Sequence, residues 1–220
     1  MAPAAGEAPL GGVRVLDLSR VLAGPFATMV LGDLGADVLK VERPATGDDT
    51  RRWGPPFFPA GDPRGDAAYF LAVNRNRRSL TLDLRDAEAA GLLLRLAGAC
   101  DVVVENFLPR HLAGLGLDVV RDANPGTVWV SVRGAGTDGP AGDLPGYDVM
   151  VQARSGLMGI TGHPDTGPTK VGVAVADVVT GLYAAVAALA GLVGRASIVE
   201  VSLLESAVSA LVNQAANYLV

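Results

Sequence analysis

The chain is poor in the residues that build metal centres and disulfide scaffolds: among 220 residues there is one cysteine, Cys100, and there are two histidines, His111 and His163. A single cysteine excludes an intrachain disulfide, and Cys100, set among apolar residues ahead of "DVVVENF", reads as a small core residue. With so few nitrogen and sulfur ligands, no metal site is expected. Basic clusters are also missing. The formal net charge is -5 and lysines and arginines are scattered, which leaves no electrostatic footprint for nucleic acid. The opening "MAPAAGEAPL" lacks both the basic n-region and long apolar core of a secretory signal and the Arg-rich character of a mitochondrial one, so a cytoplasmic protein is expected. The charge-free run from Val178 to Gly194 approaches the length of a membrane span, but it is built from Ala, Gly and Val. It reads as a buried helix with small faces for close packing, and no membrane association is expected.

The usual glycine motifs of nucleotide and hydrolase sites are absent too. The first strand-to-helix turn, "DLSRVLAGP", has one glycine and no G-x-G-x-x-G, so it lacks the backbone clearance that a dinucleotide pyrophosphate needs. There is no P-loop and no G-x-S-x-G elbow. An NAD, FAD, nucleotide triphosphate or serine-hydrolase reading is therefore disfavoured.

Half of the residues are apolar, enough for one sizeable core or two small ones. Short apolar runs alternate with helical patterns: strands are predicted at 13–18, 37–42, 80–84, 101–106, 127–132 and 197–201, and helices at 24–35 and 86–99. Asp86 starts the second of these helices as a cap. This is the signature of an α/β, Rossmann-like, doubly wound parallel sheet. The segment from Pro44 to Asp66 reads as a long irregular loop, and "GAGTDGPAGDLPG" from Gly134 as a linker leading into helical runs. Ser202 to Val220 is apolar enough to need burial and ends on "NYLV" with no cap, so this helix is expected to pack against something outside the chain or on another subunit.

Polar residues gather at the ends of the predicted strands: Arg43 after the second, Arg75, Arg77 and Arg78 before the third, Arg85 after it, Asn106 after the fourth and Arg133 after the fifth. Because ligands of open α/β sheets bind outside the carboxyl ends of the strands, Arg43, Arg85, Asn106 and Arg133 could converge on a phosphorylated ligand. The plainer reading is solvated charge at strand-to-loop junctions. Asp177 likewise has two readings. As an N-cap it would satisfy the first free amides of an apolar helix. The helix dipole would also lower its pKa and hold it ionised, which suits a nucleophile.

Six segments in order, "VLDLSRVLAGP", "LGDLGADVLKVERPATGDDTR", "NRNRRSLTLDLR", "VVVENF", "GYDVMVQARSGLMGITG" and "VADVVTGL", resemble the class III CoA-transferase family, also called the CaiB/BaiF type. The similarity runs from Leu10 to Val220. Within the family, "LAGPFATM", "GDDTRRWGPPF", "VNRNRRS" and "AANYL" look most like the succinyl-CoA:glutarate CoA-transferase branch. The resemblance implies a CoA-binding domain over residues 1–195, a passage at 196–220 into a second domain mostly absent from this chain, and an interlocked homodimer. It implies catalysis by Asp177 through an aspartyl anhydride and an aspartyl-CoA thioester, with acyl-CoA and a carboxylic acid as substrates and no permanently bound cofactor. CoA contacts carry over to Leu22 and Ala23, to Arg43, to Leu82, Asp83, Leu84 and Arg85, to Asn106, Phe107 and Leu108, and to Arg133, Gly134, Ala135 and Gly136.

Departures from the family pattern are Ala135 where many members have an aromatic residue, Gly114 where a phosphate-binding Arg is usual, and a missing short turn between Arg195 and Ala196. Family members are also roughly twice this length. An α-methylacyl-CoA racemase is a rival, but the His that precedes the Asp of the "GYDVMVQA" motif in racemases is Tyr147 here. A non-catalytic acyl-CoA-binding module, with Asp177 as a cap alone, is another. For a dicarboxylate substrate, Arg154 and Lys170 are candidates to pair with the distal carboxylate, against a plain surface role.

Overall fold

The computed structural model describes residues 8–62, 64–136, 141–142, 144–194 and 198–220. The elements in chain order are β1 (Arg14–Asp17), α1 (Ala23–Asp33), β2 (Asp37–Glu42), β3 (Phe57–Phe58), β4 (Asp66–Ala67), α2 (Ala68–Val73), β5 (Arg78–Thr81), α3 (Ala87–Ala99), β6 (Val102–Glu105), α4 (Pro109–Gly114), α5 (Leu117–Ala123), β7 (Val128–Arg133), α6 (Asp148–Arg154), α7 (Val175–Gly194), β8 (Ile198–Ser202), α8 (Leu203–Ser209) and α9 (Val212–Leu219). Six of the strands form one parallel sheet in the order β5-β2-β1-β6-β7-β8. Counted along the chain this is 3-2-1-4-5-6. The direction of winding therefore reverses between β1 and β6, and the carboxyl ends of those two strands open a crevice.

Alternation along the central strands sends side chains into two apolar layers. Val15, Val102, Val104, Val128 and Val130 face α1, α7 and α8, while Leu16, Val103 and Trp129 face α3, α4 and α5. Both faces of the sheet are covered, which is why its strands read as near-continuous apolar runs. Asp86 caps α3 as the sequence predicts, accepting from the Glu88 and Ala89 N–H groups at 2.9 Å each.

By length and composition α7 is apolar enough to cross a membrane. Its buried residues, among them Gly181, Ala184, Ala185 and Ala188, pack on α1 and on the sheet. A Cβ at Gly181 would stand 2.7 Å from the Ala23 carbonyl oxygen, so the small residue here sets how closely α1 and α7 approach.

Two predictions need correction. The segment from Pro44 to Asp66 is not irregular throughout. A 3-10 turn at Asp49–Arg52 and the antiparallel pair β3/β4 order it, and Arg51 ties the turn to Glu42 and Asp66. The apolar stretch from Ser202 to Val220 is not one helix, since it breaks between α8 and α9, where Val212 has φ 41°. β8 pairs with β7 along the same sheet. Part of the expected linker, residues 137–140 and 143, and the Arg195–Ala196 junction lie outside the described residues.

Candidate active site

Two cavities open at the reversal point. The smaller, about 200 Å³, is lined by Leu22, Ala23, Asn106, Phe107, Leu108, Arg133, Gly134, Tyr147 and Asp177, among others. The larger, about 740 Å³, runs over the carboxyl ends of β2 and β5 and is lined by Arg43, Leu82, Asp83, Leu84, Arg85, Arg110 and Gly114 along with others. Arg20, Phe107 and His111 line both, so the two spaces share a wall.

The turn from β1 into α1 forms that wall, and side chains hold its backbone. The Ser19 N–H donates to Asp17 at 2.9 Å and the Ser19 carbonyl accepts from Lys40 Nζ at 2.8 Å. Asn106 grips the next residue from both sides, accepting from the Arg20 N–H at 3.1 Å and donating to its carbonyl at 2.9 Å. The Val21 N–H points to the Asp48 carboxylate at 3.3 Å. Val21 itself has φ 73°, a left-handed conformation that a β-branched residue resists, so this clamp holds a strained turn.

The clamp is anchored in a buried ion network. Lys40 lies 3.1 Å from Asp48 and 3.8 Å from Asp17, and Arg77 meets Asp17 at 2.7 Å, all four side chains being almost fully enclosed. Burial alone would raise the Asp17 carboxyl. The charges of Lys40 and Arg77 and the hydroxyls of Ser19 and Thr28 outweigh it, and the net shift is downward. Arg77 is thus a core residue rather than solvated charge.

Asp177 sits in the first turn of α7 and is 9% exposed. It is not the helix cap. The Asp148 carboxylate, at the start of α6, accepts from the Ala176 N–H at 2.8 Å and the Asp177 N–H at 3.3 Å, and Gln152 Nε2 donates to its other oxygen at 2.6 Å. With those amides taken by another anion, the predicted lowering of the Asp177 pKa does not occur. Burial, and after it the Asp148 charge, push Asp177 up to about 7, with the Ala23 N–H acting in the opposite direction. Tyr69 on α2 belongs to the same electrostatic neighbourhood, pushed up to about 12 by burial and then by Asp177, Asp148 and Asp48.

The predicted strand-end cations do not form one rim. Arg43 and Arg85 line the larger cavity, paired with Asp49 and Asp83 at 2.7 Å each. Arg133 lies on the smaller cavity, but its guanidinium is buried against Glu105, with contacts of 3.0 and 2.8 Å, and donates to the Phe107 carbonyl at 2.7 Å. Its charge is therefore spent inside the protein. Asn106 is similarly occupied with the Arg20 backbone. Arg75 and Arg78 pair with Asp33 and Asp37 at the surface. Ala135 lines a small separate hollow beside Arg154, and Gly136 lines neither main cavity. Lys170 is exposed, its Nζ 3.3 Å from the Val171 carbonyl. Cys100 is half-buried against the α3 layer, and burial raises its thiol.

Sequence reasoning missed four participants. Arg20, Arg110 and His111 follow strand ends by a few residues and were legible as such. Arg110 stands one helical turn before Gly114, the position where the resemblance led to the expectation of an Arg, and lines the same cavity. Asp148 acts 29 residues away from Asp177, a spacing that no local pattern announces. No group of three or more potential metal ligands occurs among the described residues.

The pattern of CoA-transferase family III matches residues 10–220. A succinyl-CoA:glutarate CoA-transferase of Mus musculus is 48% identical over 219 residues, covering 96% of this chain and 49% of its own length. A succinate–glutarate CoA-transferase of Agrobacterium fabrum is 47% identical over 220 residues, covering 96% of this chain and 55% of its own. Among solved structures, a CAIB/BAIF family protein from Brucella suis superposes with TM-score 0.89 at 44% identity, over 96% of this chain and 57% of that one. The chain thus spans about half the length of the curated relatives it matches.

Proposed function

The chain belongs to CoA-transferase family III, and from that premise we propose that it is the nucleophile-bearing, CoA-binding part of an acyl-CoA:carboxylate CoA-transferase acting on dicarboxylates such as succinate and glutarate. The observation that carries this reading is the position of Asp177: a buried carboxyl on the smaller cavity at the reversal point, one shared wall away from a large cavity lined by Arg43, Arg85 and Arg110. The two relatives above supply the choice of substrates.

In the proposed mechanism the Asp177 carboxylate attacks the thioester carbonyl of the donor. A carbon–oxygen bond forms, the carbon–sulfur bond breaks, and CoA leaves as thiolate, giving an acyl–aspartyl anhydride. The thiolate then attacks the aspartyl carbonyl and releases the donor acid. The acceptor carboxylate attacks the resulting aspartyl-CoA thioester, and the freed thiolate takes the acceptor acyl group and restores Asp177. Covalent relay of this kind divides one acyl transfer into lower steps. A carboxylate whose conjugate acid titrates near the working pH is a better nucleophile than one of ordinary acidity and is still ionised in a useful fraction.

Arg43, Arg85 and Arg110 would hold the CoA phosphates. Arg43 and Arg85 are now paired with carboxylates at the surface, and exposed pairs contribute only about 0–1 kcal/mol, so a phosphate can displace them. Leu22, Ala23, Phe107 and Leu108 would line the path of the pantetheine arm, with Arg133, Gly134 and Asn106 shaping its wall. Ala135 and Gly136, off the cavities, are the weakest members of the proposed contact set. The same reading takes residues 1–195 as a Rossmann-like CoA-binding unit and 196–220 as the passage to a further domain in the half of the relatives that lies outside this chain. An interlocked homodimer in the cytoplasm would cover the exposed apolar residues Val186 and Val193 of α7 and Tyr218 and Leu219 of α9.

The test is to incubate the protein with succinyl-CoA, quench with hydroxylamine and look for a hydroxamate at Asp177 by peptide mass spectrometry. A hydroxamate there is the expected result. CoA binding without one, together with exchange of solvent deuterium into the α-carbon of a 2-methylacyl-CoA, would replace the transferase by a racemase. Binding with neither reaction would leave an acyl-CoA-binding module.

A further inference from the structure

We infer that Asp148 is the positioning residue for the nucleophile: its carboxylate occupies the N-terminal amides of α7 and thereby leaves Asp177 enclosed beside a fixed like charge. The inference rests on the proposed role of Asp177.

The free amides of a helix N-terminus favour an anion, and here two carboxylates compete for one terminus. Asp148 wins because α6 presents it from outside the helix, where one oxygen reaches both the Ala176 and Asp177 N–H groups at 2.8 and 3.3 Å. Asp177 belongs to the first turn itself, and its own N–H is one of the two amides that Asp148 takes. Gln152, fully buried one turn along α6, then fixes Asp148. It donates to the second carboxylate oxygen at 2.6 Å while its own carbonyl accepts the Val171 N–H at 2.8 Å, tying the arrangement to the segment that enters α7. Asp148 is thereby satisfied by N–H donors, while Asp177 is left buried beside its charge and is the harder to ionise.

Other charged groups around Asp177 have different partners. Tyr69 on α2 and the cavity residues Arg20, His111 and Arg133 are the other titratable or charged side chains at this end of α7. Arg133 is matched by Glu105 and lies 3.8 Å from Glu200 on β8, and Arg20 reaches Asp49. Along the elements packed on α7, Asp33 closes the far end of α1, Arg154 ends α6 in the exposed surface, and Glu205 opens α8. Asp148 is the one whose charge bears on Asp177.

The experiment is a pH titration of the Asp177 side-chain carbonyl by carbon-13 NMR, in the 220-residue chain and in Asp148→Asn, with Asp177→Asn to assign the signal. Asparagine keeps an oxygen for the two amides and removes the charge but gives up the Gln152 Nε2 bond, so the start of α7 is checked by the Ala176 and Asp177 amide shifts in the same samples. The Asp177 midpoint is expected to fall by about one pH unit or more. The acid limb of hydroxamate formation should move with it, and kcat should fall more than KM rises. An unchanged midpoint would overturn the inference. Should Asp148→Asn fail to fold, Asp148→Ser offers a neutral acceptor for the same measurement. A shifted midpoint with no trapped acyl group in either protein would uphold the coupling and remove the transferase reading instead.

Discussion

Replacing Asp177 by Asn should make the protein more stable, and by more at high pH than at low pH. The carboxyl takes up its proton at about 7 in the folded chain, against an ordinary value of 3.8, because burial and then Asp148 disfavour the charge. The folded state therefore binds more protons than the unfolded one between those two values. Stability must then fall as pH rises from the unfolded value to the folded one, and stays reduced above it. A tenfold change in proton affinity between the two states corresponds to about 1.4 kcal/mol, so the full cost of the ionised carboxylate is on the order of 4 kcal/mol above about pH 8 and on the order of 1–2 kcal/mol at about pH 5. Asparagine carries no charge and still offers Ala23 an acceptor. Urea unfolding of the two proteins should accordingly show a gain for Asp177→Asn of about 2–4 kcal/mol at about pH 8, shrinking by about 2–3 kcal/mol on going to about pH 5. The paired measurement matters because a general packing effect would be equal at both values. An equal gain, or a loss at the higher pH, would refute the claim that this pocket resists the charge it holds.

Other substitutions probe the scaffold of the same site. Gly181→Ala would put a methyl group 2.7 Å from the Ala23 carbonyl oxygen and 3.0 Å from the Phe26 ring, forcing α1 away from α7. Overpacking of this kind costs about 1–3 kcal/mol, which thermal unfolding should register as a fall in Tm of roughly 2–10 °C. Asn106→Ala removes both bonds to the Arg20 backbone and should cost about 1–3 kcal/mol in urea unfolding. Asn106→Asp keeps the acceptor for the Arg20 N–H but sets a carboxylate oxygen against the Arg20 carbonyl, so it should not recover the stability of the parent.

The sheet was legible because its central strands are buried on both faces: "VVVE" and "VWVSVR" can be read as strands without knowing what covers them. The cap of α3 was legible because Asp86 acts on amides two and three residues ahead. The cap of α7 was not, because its acceptor comes from α6, and the sequence offered Asp177 as the nearest acid. That substitution of a distant cap for a local one reversed the direction of the Asp177 shift. Arg77 and Arg133 failed for a related reason. An arginine at a strand end looks alike whether it meets water or a carboxylate on another strand. The partners here, Asp17 and Glu105, lie 60 and 28 residues off. Position at the carboxyl edge of the sheet could be read from the sequence, but the free or committed state of each charge could not.

The committed charges bear on where the proposed CoA phosphates could be held. In dinucleotide-binding sheets the first turn offers bare backbone amides to a pyrophosphate. Here the Ser19, Arg20 and Val21 amides already donate to Asp17, Asn106 and Asp48, and a valine with positive φ stands where glycine would give clearance. This turn cannot cradle a phosphate without breaking the network that holds it. If CoA binds as proposed, its phosphates fall to side chains on the far wall, where Arg43, Arg85 and Arg110 line the larger cavity, the first two paired with carboxylates at the surface. Past the clamped turn, the Ala23 amide at the start of α1 lies close enough to Asp177 on α7 to oppose in part the rise that burial causes. In the proposed mechanism the negative charge of Asp177 appears and disappears at each step, and a backbone amide nearby would favour the ionised form without having to reorganise.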